Sequence, residues 1–262
     1  MLYLRREKRL RILLLSQPSN ADVNRDLKNG FNRSCYEVEF GSISSQSFAG
    51  FDWVVPFSAS DLIELCQWPR TLTKNLIPLP SEEVVSLCED KLKFSQTLIE
   101  KGFGRHIPTI AIGLDPPYIL KKRIGIYGKE CWMIRSRDEE SQMLDRLRDS
   151  AYYCQEVIRG PREFATHILF LNNKIAKSLN IMYEFENEFP IKGQDQWFIR
   201  VIHRCPYLGL FAEILKSIGF EGLCCVNYKV FRGRPYVLEI NPRFGGSLAP
   251  YFFSFIRHLH PG

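Results

Sequence analysis

The stretch GLCCVNYKVFRGRPYVLEIN, residues 222–241, constrains the fold more than any other part of the chain. Two apolar runs flank the turn RGRP, so the segment reads as a β-hairpin whose alternate side chains project to opposite faces. Glu239 and Asn241, two apart, share a face, and alternation on the other strand can bring Asn227 to it. Directly afterwards NPRFGGS sets Arg243 two residues beyond Asn241 and then breaks into two glycines. A carboxylate and two amide oxygens on one spot are hard ligands of the kind magnesium accepts, with phosphate oxygens and water filling the other positions. Arg243, a planar fork of donors, is placed to reach the same phosphates. Taken alone, the hairpin is equally consistent with an exposed Glu239 and a plain turn.

Two further segments carry candidate chemistry. In PYILKKRIGIYGKECWMIR, the runs YIL and CWMI read as two strands joined by a basic, glycine-containing turn. Lys121 ends the first strand, so its ammonium emerges from a dry wall, and RIGIYGK supplies backbone able to fold over an anion. By itself this is also an ordinary hairpin with protective cations on its edge. In YYCQEVIRGPREF a strand runs into Gln155 and Glu156, followed by apolar Val157 and Ile158, an arrangement suited to an adenine edge beside an apolar wall. Glu163 stands beyond the RGPR turn, where it can accept ribose hydroxyls. Alone, this piece is a loop with chance carboxylates.

The rest of the pattern supplies a frame. Short β-rich runs at 10–17, 35–42 and 51–58, with a helix between the first two, predict a small parallel sheet. Its first turn, SQPSNADVN, has no glycine fingerprint, which argues against a dinucleotide site there. NLIPLPS is a proline-marked linker, and from Ser81 apolar spacing predicts one or two amphipathic helices stopping at Gly102. SRDEESQMLDRLRDS reads as a polar helix, YYCQEVIRGPREFATHILFLNNKIAKSLNIM (152–182) as strand-rich, and YLGLFAEILKSIG as a helix ended by Gly219.

Composition narrows the function classes. The chain has 262 residues and a formal charge of +6, much of it in RREKRLR near the amino end, where no aromatic residues interleave with the cations. That argues for a solvated flank and against nucleic-acid binding. No segment reaches the roughly 18 to 20 apolar residues of a membrane helix, and ILLL is too short for a signal core. The eight cysteines form no C-x-x-C pair and have no histidine at zinc spacing, so they read as reduced core thiols of a soluble, cytoplasmic protein.

Together and in this order, the motifs resemble the ATP-grasp superfamily of carboxylate-amine ligases, in the branch with a carbamoyl phosphate synthetase-like nucleotide domain. EDKLKFSQTLIEKGFGRHIPT is similar to that family's DK helix and Gly/Pro turn, YILKKRIGIYGKECWMI to its strand, lysine, flap and returning strand, and EINPRFGGS to its most specific motif. The resemblance covers about residues 81–247. It implies an α/β (α+β) ATP-grasp fold in which two subdomains, 81–154 and 155–262, clamp ATP behind a small parallel-sheet domain, 1–80. It further implies that Lys91 and Lys121, with Lys129 and the backbone of Gly125 and Gly128, contact the phosphates. Gln155, Glu156 and Ile158 then line the adenine and Glu163 holds the ribose. Asn227, Glu239 and Asn241 carry Mg2+, and Arg243 stabilises the transferred phosphoryl group.

The implied activity is ADP-forming ligation of a small carboxylate to an amine through an acyl phosphate, in making a peptide-like metabolite, with room for a homodimer and no nucleic-acid or membrane partner. Lys177, Arg200 and Arg204 are the candidates for holding the substrate carboxylate, while His167 and His203 read as packed or surface strand residues. A nucleotide-binding protein that regulates or scaffolds without catalysis is the alternative.

Overall fold

The computed structural model describes residues 9–16, 21–30, 32–43, 48–69, 74–125 and 130–259. The first layer is the expected parallel sheet. Strands β1 (Leu10–Leu15), β2 (Tyr36–Gly41) and β3 (Trp53–Pro56) lie in the order β2-β1-β3, with helix α1 (Ala21–Gly30) on the crossover from β1 to β2. Central β1 is buried on both faces, which is why its apolar residues run continuously instead of alternating. Helix α2 (Ala59–Cys66) follows, started by Ser58, whose hydroxyl accepts from Asp61 N at 3.0 Å.

Beyond the proline-marked linker come α3 (Glu82–Glu89), capped by Ser81, and α4 (Lys91–Leu98), capped by Asp90. The chain leaves α4 through a turn in which Gly102 adopts φ +89°, a conformation that suits glycine. The second sheet, in the order β5-β4-β6, is antiparallel: β4 (Tyr118–Lys122), β5 (Cys131–Ile134) and β6 (Tyr152–Glu156). The polar helix expected after it is divided into α5 (Arg137–Ser141) and α6 (Leu144–Arg148), because Met143 between them leaves helical geometry.

The third sheet is the largest. Strands β7 (Arg162–Leu171), β8 (Lys174–Phe185), β9 (Trp197–Ile202), β10 (Gly222–Phe231) and β11 (Arg234–Asn241) pair antiparallel in the order β11-β10-β7-β8-β9. The expected hairpin is β10–β11, turning at Arg232 and Gly233, which both take positive φ as a tight two-residue turn requires. On β10, Cys224, Val226 and Tyr228 face a core built with α3, α4 and α7 (Leu208–Ser217). Cys225, Asn227 and Lys229 must therefore face the other way.

A second core joins the first sheet to the third, packing Ile12, Leu14, Val55 and Phe57 with Leu223, Phe244 and Leu248. Helix α8 (Phe252–Ile256) adds Phe252, Phe253, Phe255 and Ile256 to it. Phe57 and Phe244 stack with centroids 4.4 Å apart, next door to Arg243. All eight cysteines are free, but Cys35 and Cys66 are exposed, which corrects the reading of the thiols as core residues; Cys88, Cys224 and Cys225 are buried.

Candidate active site

A cleft separates the two antiparallel sheets. Its position follows from local structure. The Asp90 carboxylate caps α4 by accepting from Lys93 N at 3.1 Å, and it also pairs with Arg123 Nη2 at 2.6 Å. Lys91 N donates to Arg123 O at 3.0 Å, so the first residue of α4 is tied to the end of β4. Burial works against ionisation of Asp90, but hydrogen bonds from Arg123 and the helix backbone outweigh it and hold its carboxyl below the usual range. The consequence is a fixed Lys91, whose Nζ donates to Gly125 O at 2.5 Å and lies 3.8 Å from Glu239 Oε2. Gly125 thus offers its carbonyl to Lys91 here. Gly128 and Lys129, the remaining flap residues, lie outside the described residues.

The facing strands complete this end of the cleft. Asn227 pairs with Glu239 across the β10–β11 ladder, and Cys225 pairs with Asn241. Glu239 Oε1 accepts from Asn227 Nδ2 at 2.8 Å and from Asn241 Nδ2 at 3.1 Å. Burial would raise the Glu239 pKa, yet Lys91, the bond from Asn227, Lys121 and the bond from Asn241 together lower it. An ionised carboxylate beside two amides is a donor set that magnesium accepts, and among the described residues no cluster of three His, Cys, Asp or Glu offers an alternative. Arg243 Nη2 donates to Asn241 Oδ1 at 3.4 Å and Nη1 to Phe244 O at 3.2 Å.

Towards the other end, buried Lys121 donates to Gln155 Oε1 at 2.7 Å, linking β4 to β6. Glu156 borders the cleft, with its carboxylate accepting from Thr109 N and Oγ1 at 3.1 and 2.8 Å. Ile158 is buried in the wall and Glu163 is nearly so.

The structure adds two lysines that sequence reasoning missed. Lys192 Nζ lies 3.4 Å from Glu163 Oε1 and donates to Asn227 Oδ1 at 3.0 Å. Burial acts against its charge, but Glu163 above all overcomes this and raises its pKa. Lys192 sits in a loop with no periodic signal. Lys229 was readable, since it lies two residues from Asn227 on the same strand. Burial pushes its ammonium down to about 8, against the pull of nearby Glu163 and with the help of Lys121.

A second cleft shares Glu163, Lys192, Asn227 and Glu239 with the first and continues to Arg243 and Ser247. Beneath its floor, fully buried His167 joins Ser247 Oγ through Nε2 at 2.7 Å. Burial, then Lys192 and Arg200, pull the His167 pKa down to about 3, so the ring is neutral. A Cβ on Gly245 would lie 2.6 Å from His167 Cε1, which explains the glycine. Arg200 Nη2 donates to Ser247 O at 3.0 Å, tying β9 to this turn, but Arg200, Lys177 and Arg204 line neither cleft. His203 bonds Arg204 O at 2.8 Å, away from the site.

Two sheets close on a cleft with lysines on one side and a carboxylate-amide strand end on the other. An ATP-grasp domain model matches residues 88–247, and the chain belongs to that family. Solved structures with the same fold include D-alanine–D-alanine ligase from Bacillus anthracis complexed with ATP, at 15% identity and TM-score 0.60, over 90% of this chain and 87% of that one. L-amino acid ligase from Bacillus licheniformis is similar at 16% identity and TM-score 0.62, over 94% and 70% of the two chains. N5-carboxyaminoimidazole synthetase from Staphylococcus aureus complexed with ADP is similar at 18% identity and TM-score 0.61, over 92% and 73%. No curated protein matches significantly in sequence. At these identities the likeness is one of fold, and the chemistry must be argued from the site.

Proposed function

We propose that the chain is an ATP- and magnesium-dependent ligase that activates a small carboxylate as an acyl phosphate, which an amine then attacks, with ADP and phosphate as products. The observation that carries this reading is the continuity of the two clefts through Asn227 and Glu239. A nucleotide in the first has its terminal phosphate where the second begins.

Triphosphate and carboxylate repel one another, so catalysis here is largely neutralisation and alignment. Lys91 and Lys121 bind the phosphates, and Glu163 takes the ribose hydroxyls between them and the base. Gln155, Glu156 and Ile158 border the base. Arg243 faces the second cleft, where its fork neutralises charge on the phosphoryl group in transfer. Asn227, Glu239 and Asn241 would hold magnesium, which as a Lewis acid supplies further charge stabilisation at the phosphates. Arg200 holds the Ser247 carbonyl and His167 its hydroxyl, at the wall where the carboxylate and amine would meet. The names of two similar structures, both amino acid ligases, favour a peptide-like product.

The test is a coupled ADP-release assay with magnesium over pairs drawn from amino acids and small acids. Release that requires two added substrates is the expected result. Binding of ATP without release for any pair would overturn ligation and leave a nucleotide-binding protein without turnover.

A further inference from the structure

The roles assigned so far leave one buried cation unused. Lys229 is 4% exposed, borders the nucleotide cleft, and has no hydrogen-bond partner for its Nζ. A second orphaned donor borders the same cleft: Gln155 is fully buried, its Oε1 is taken by Lys121, and its Nε2 is unpartnered. The two side chains belong to different sheets, β10 and β6, on opposite walls. An unsatisfied buried donor is unfavourable, and a buried cation without a partner more so. Here the acceptors must come from what fills the cleft.

Position decides which part of a ligand supplies them. Lys229 lies two residues from Asn227 on one strand face, hence about 6.6 Å from the metal-binding end. The walls around it include Ile119, Ile158 and Leu238, which suit the flat faces of a ring and not a phosphate. The unpartnered groups facing the ring are the donors Lys229 Nζ and Gln155 Nε2, while the carboxylates of Glu163 and Glu156 are each held through one oxygen, by Lys192 and Thr109, and can still accept from an amino group. Adenine presents an amino donor at position 6 beside the N7 acceptor, whereas a keto purine presents two acceptors, O6 and N7.

Resting on the nucleotide-binding reading above, we propose that Lys229, with Gln155 opposite, reads the base through its acceptors, so that the pocket admits a keto purine triphosphate alongside ATP. Lys229 is then a specificity residue, outside the phosphate and metal machinery.

Inosine triphosphate is the probe, because it differs from ATP by a keto group in place of the amino group and the ring proton that accompanies it. Calorimetric titration of the full chain with each nucleotide, magnesium present, should show inosine triphosphate binding no more than about tenfold more weakly than ATP. In Lys229→Met the preference should move towards ATP by about tenfold, the worth of one buried donor left without its acceptor. Lys229→Gln, which keeps a donor, should stay within about threefold of the wild-type ratio. Stronger discrimination in the wild type, or a ratio that Lys229→Met leaves unchanged, overturns the proposal while ATP binding stands. Failure of the wild type to bind either nucleotide overturns the proposal and the nucleotide site together.

Discussion

The two ends of the nucleotide cleft are built on opposite principles. At the proposed phosphate end the charged groups among the described residues have partners: Glu239 holds Asn227, Asn241 and Lys91, and Lys192 joins Glu163 to Asn227. At the base end Lys229 Nζ and Gln155 Nε2 have none. A satisfied network keeps its geometry without a ligand, so the phosphate end is preorganised for charge that develops during the reaction. The base end waits for the ligand to complete it, which couples occupancy to stability.

The largest effect expected from this contrast is at Glu239. Glu239→Gln keeps the size of the side chain and loses its charge, so ADP release should fall by about 10^2 to 10^3-fold with little change in melting temperature. A large loss of stability with turnover retained would mean that the phosphate end is structural. Next comes Lys121→Met, which leaves Gln155 Oε1 without its donor and adds a third orphan at the base end. The Kd for ATP measured by titration should rise about 10- to 100-fold; an unchanged Kd would remove Lys121 from the nucleotide site.

A smaller effect lies under the second cleft and depends on pH. His167 has a folded pKa near 3 against 6.5 when free, so the unfolded chain binds the extra proton between those values. The neutral ring's contribution is therefore complete above pH 6.5 and is lost as pH falls. Thermal melts should show wild-type stability dropping by about 1.5 to 2 kcal/mol between pH 6.5 and pH 5 on this account. His167→Asn should drop less steeply, and parallel curves would place the acid sensitivity elsewhere. The smallest effect has the same sign at alkaline pH. Lys229 sheds its proton near 8 in the folded chain and near 10.5 when free, so stability should rise through this window. The rise expected between pH 8 and pH 9 is about 1 kcal/mol, absent in Lys229→Met, and its persistence there would mean that Lys229 has a partner in solution.

The same contrast explains what could be read from the chain. The β10–β11 hairpin and the β4–β5 pair are legible because alternation and turn residues are local, and Lys91, Lys121, Glu239 and Asn241 sit at fixed steps from strand or helix ends. Strand β9 was not legible. Trp197, Phe198, Val201 and Ile202 are all 43–57% exposed on an edge, so no period of two separates an inner from an outer face. The break at Met143 gives no warning either, since the residues around it are good helix formers. Lys192 reaches the site from a loop by tertiary contact alone, and no spacing rule could have found it. Lys229 follows from the period already used for Asn227, since the two lie two residues apart on one strand.

Two close contacts tie the amino-terminal part to the third sheet and the turn after it: Phe57 lies flat on Phe244, and the linker's Pro78 O lies where a Cβ on Gly222 would come within 2.2 Å. Severing the polypeptide in the linker before Ser81 would therefore not liberate a tidy nucleotide module. It would strip the cover from Phe244, Leu248 and Leu223 and leave the turn carrying Arg243 without a backstop. Random mutagenesis for altered turnover should accordingly yield hits at Ile12, Leu14, Val55 and Phe57, which line neither cleft, through loosening of that backstop.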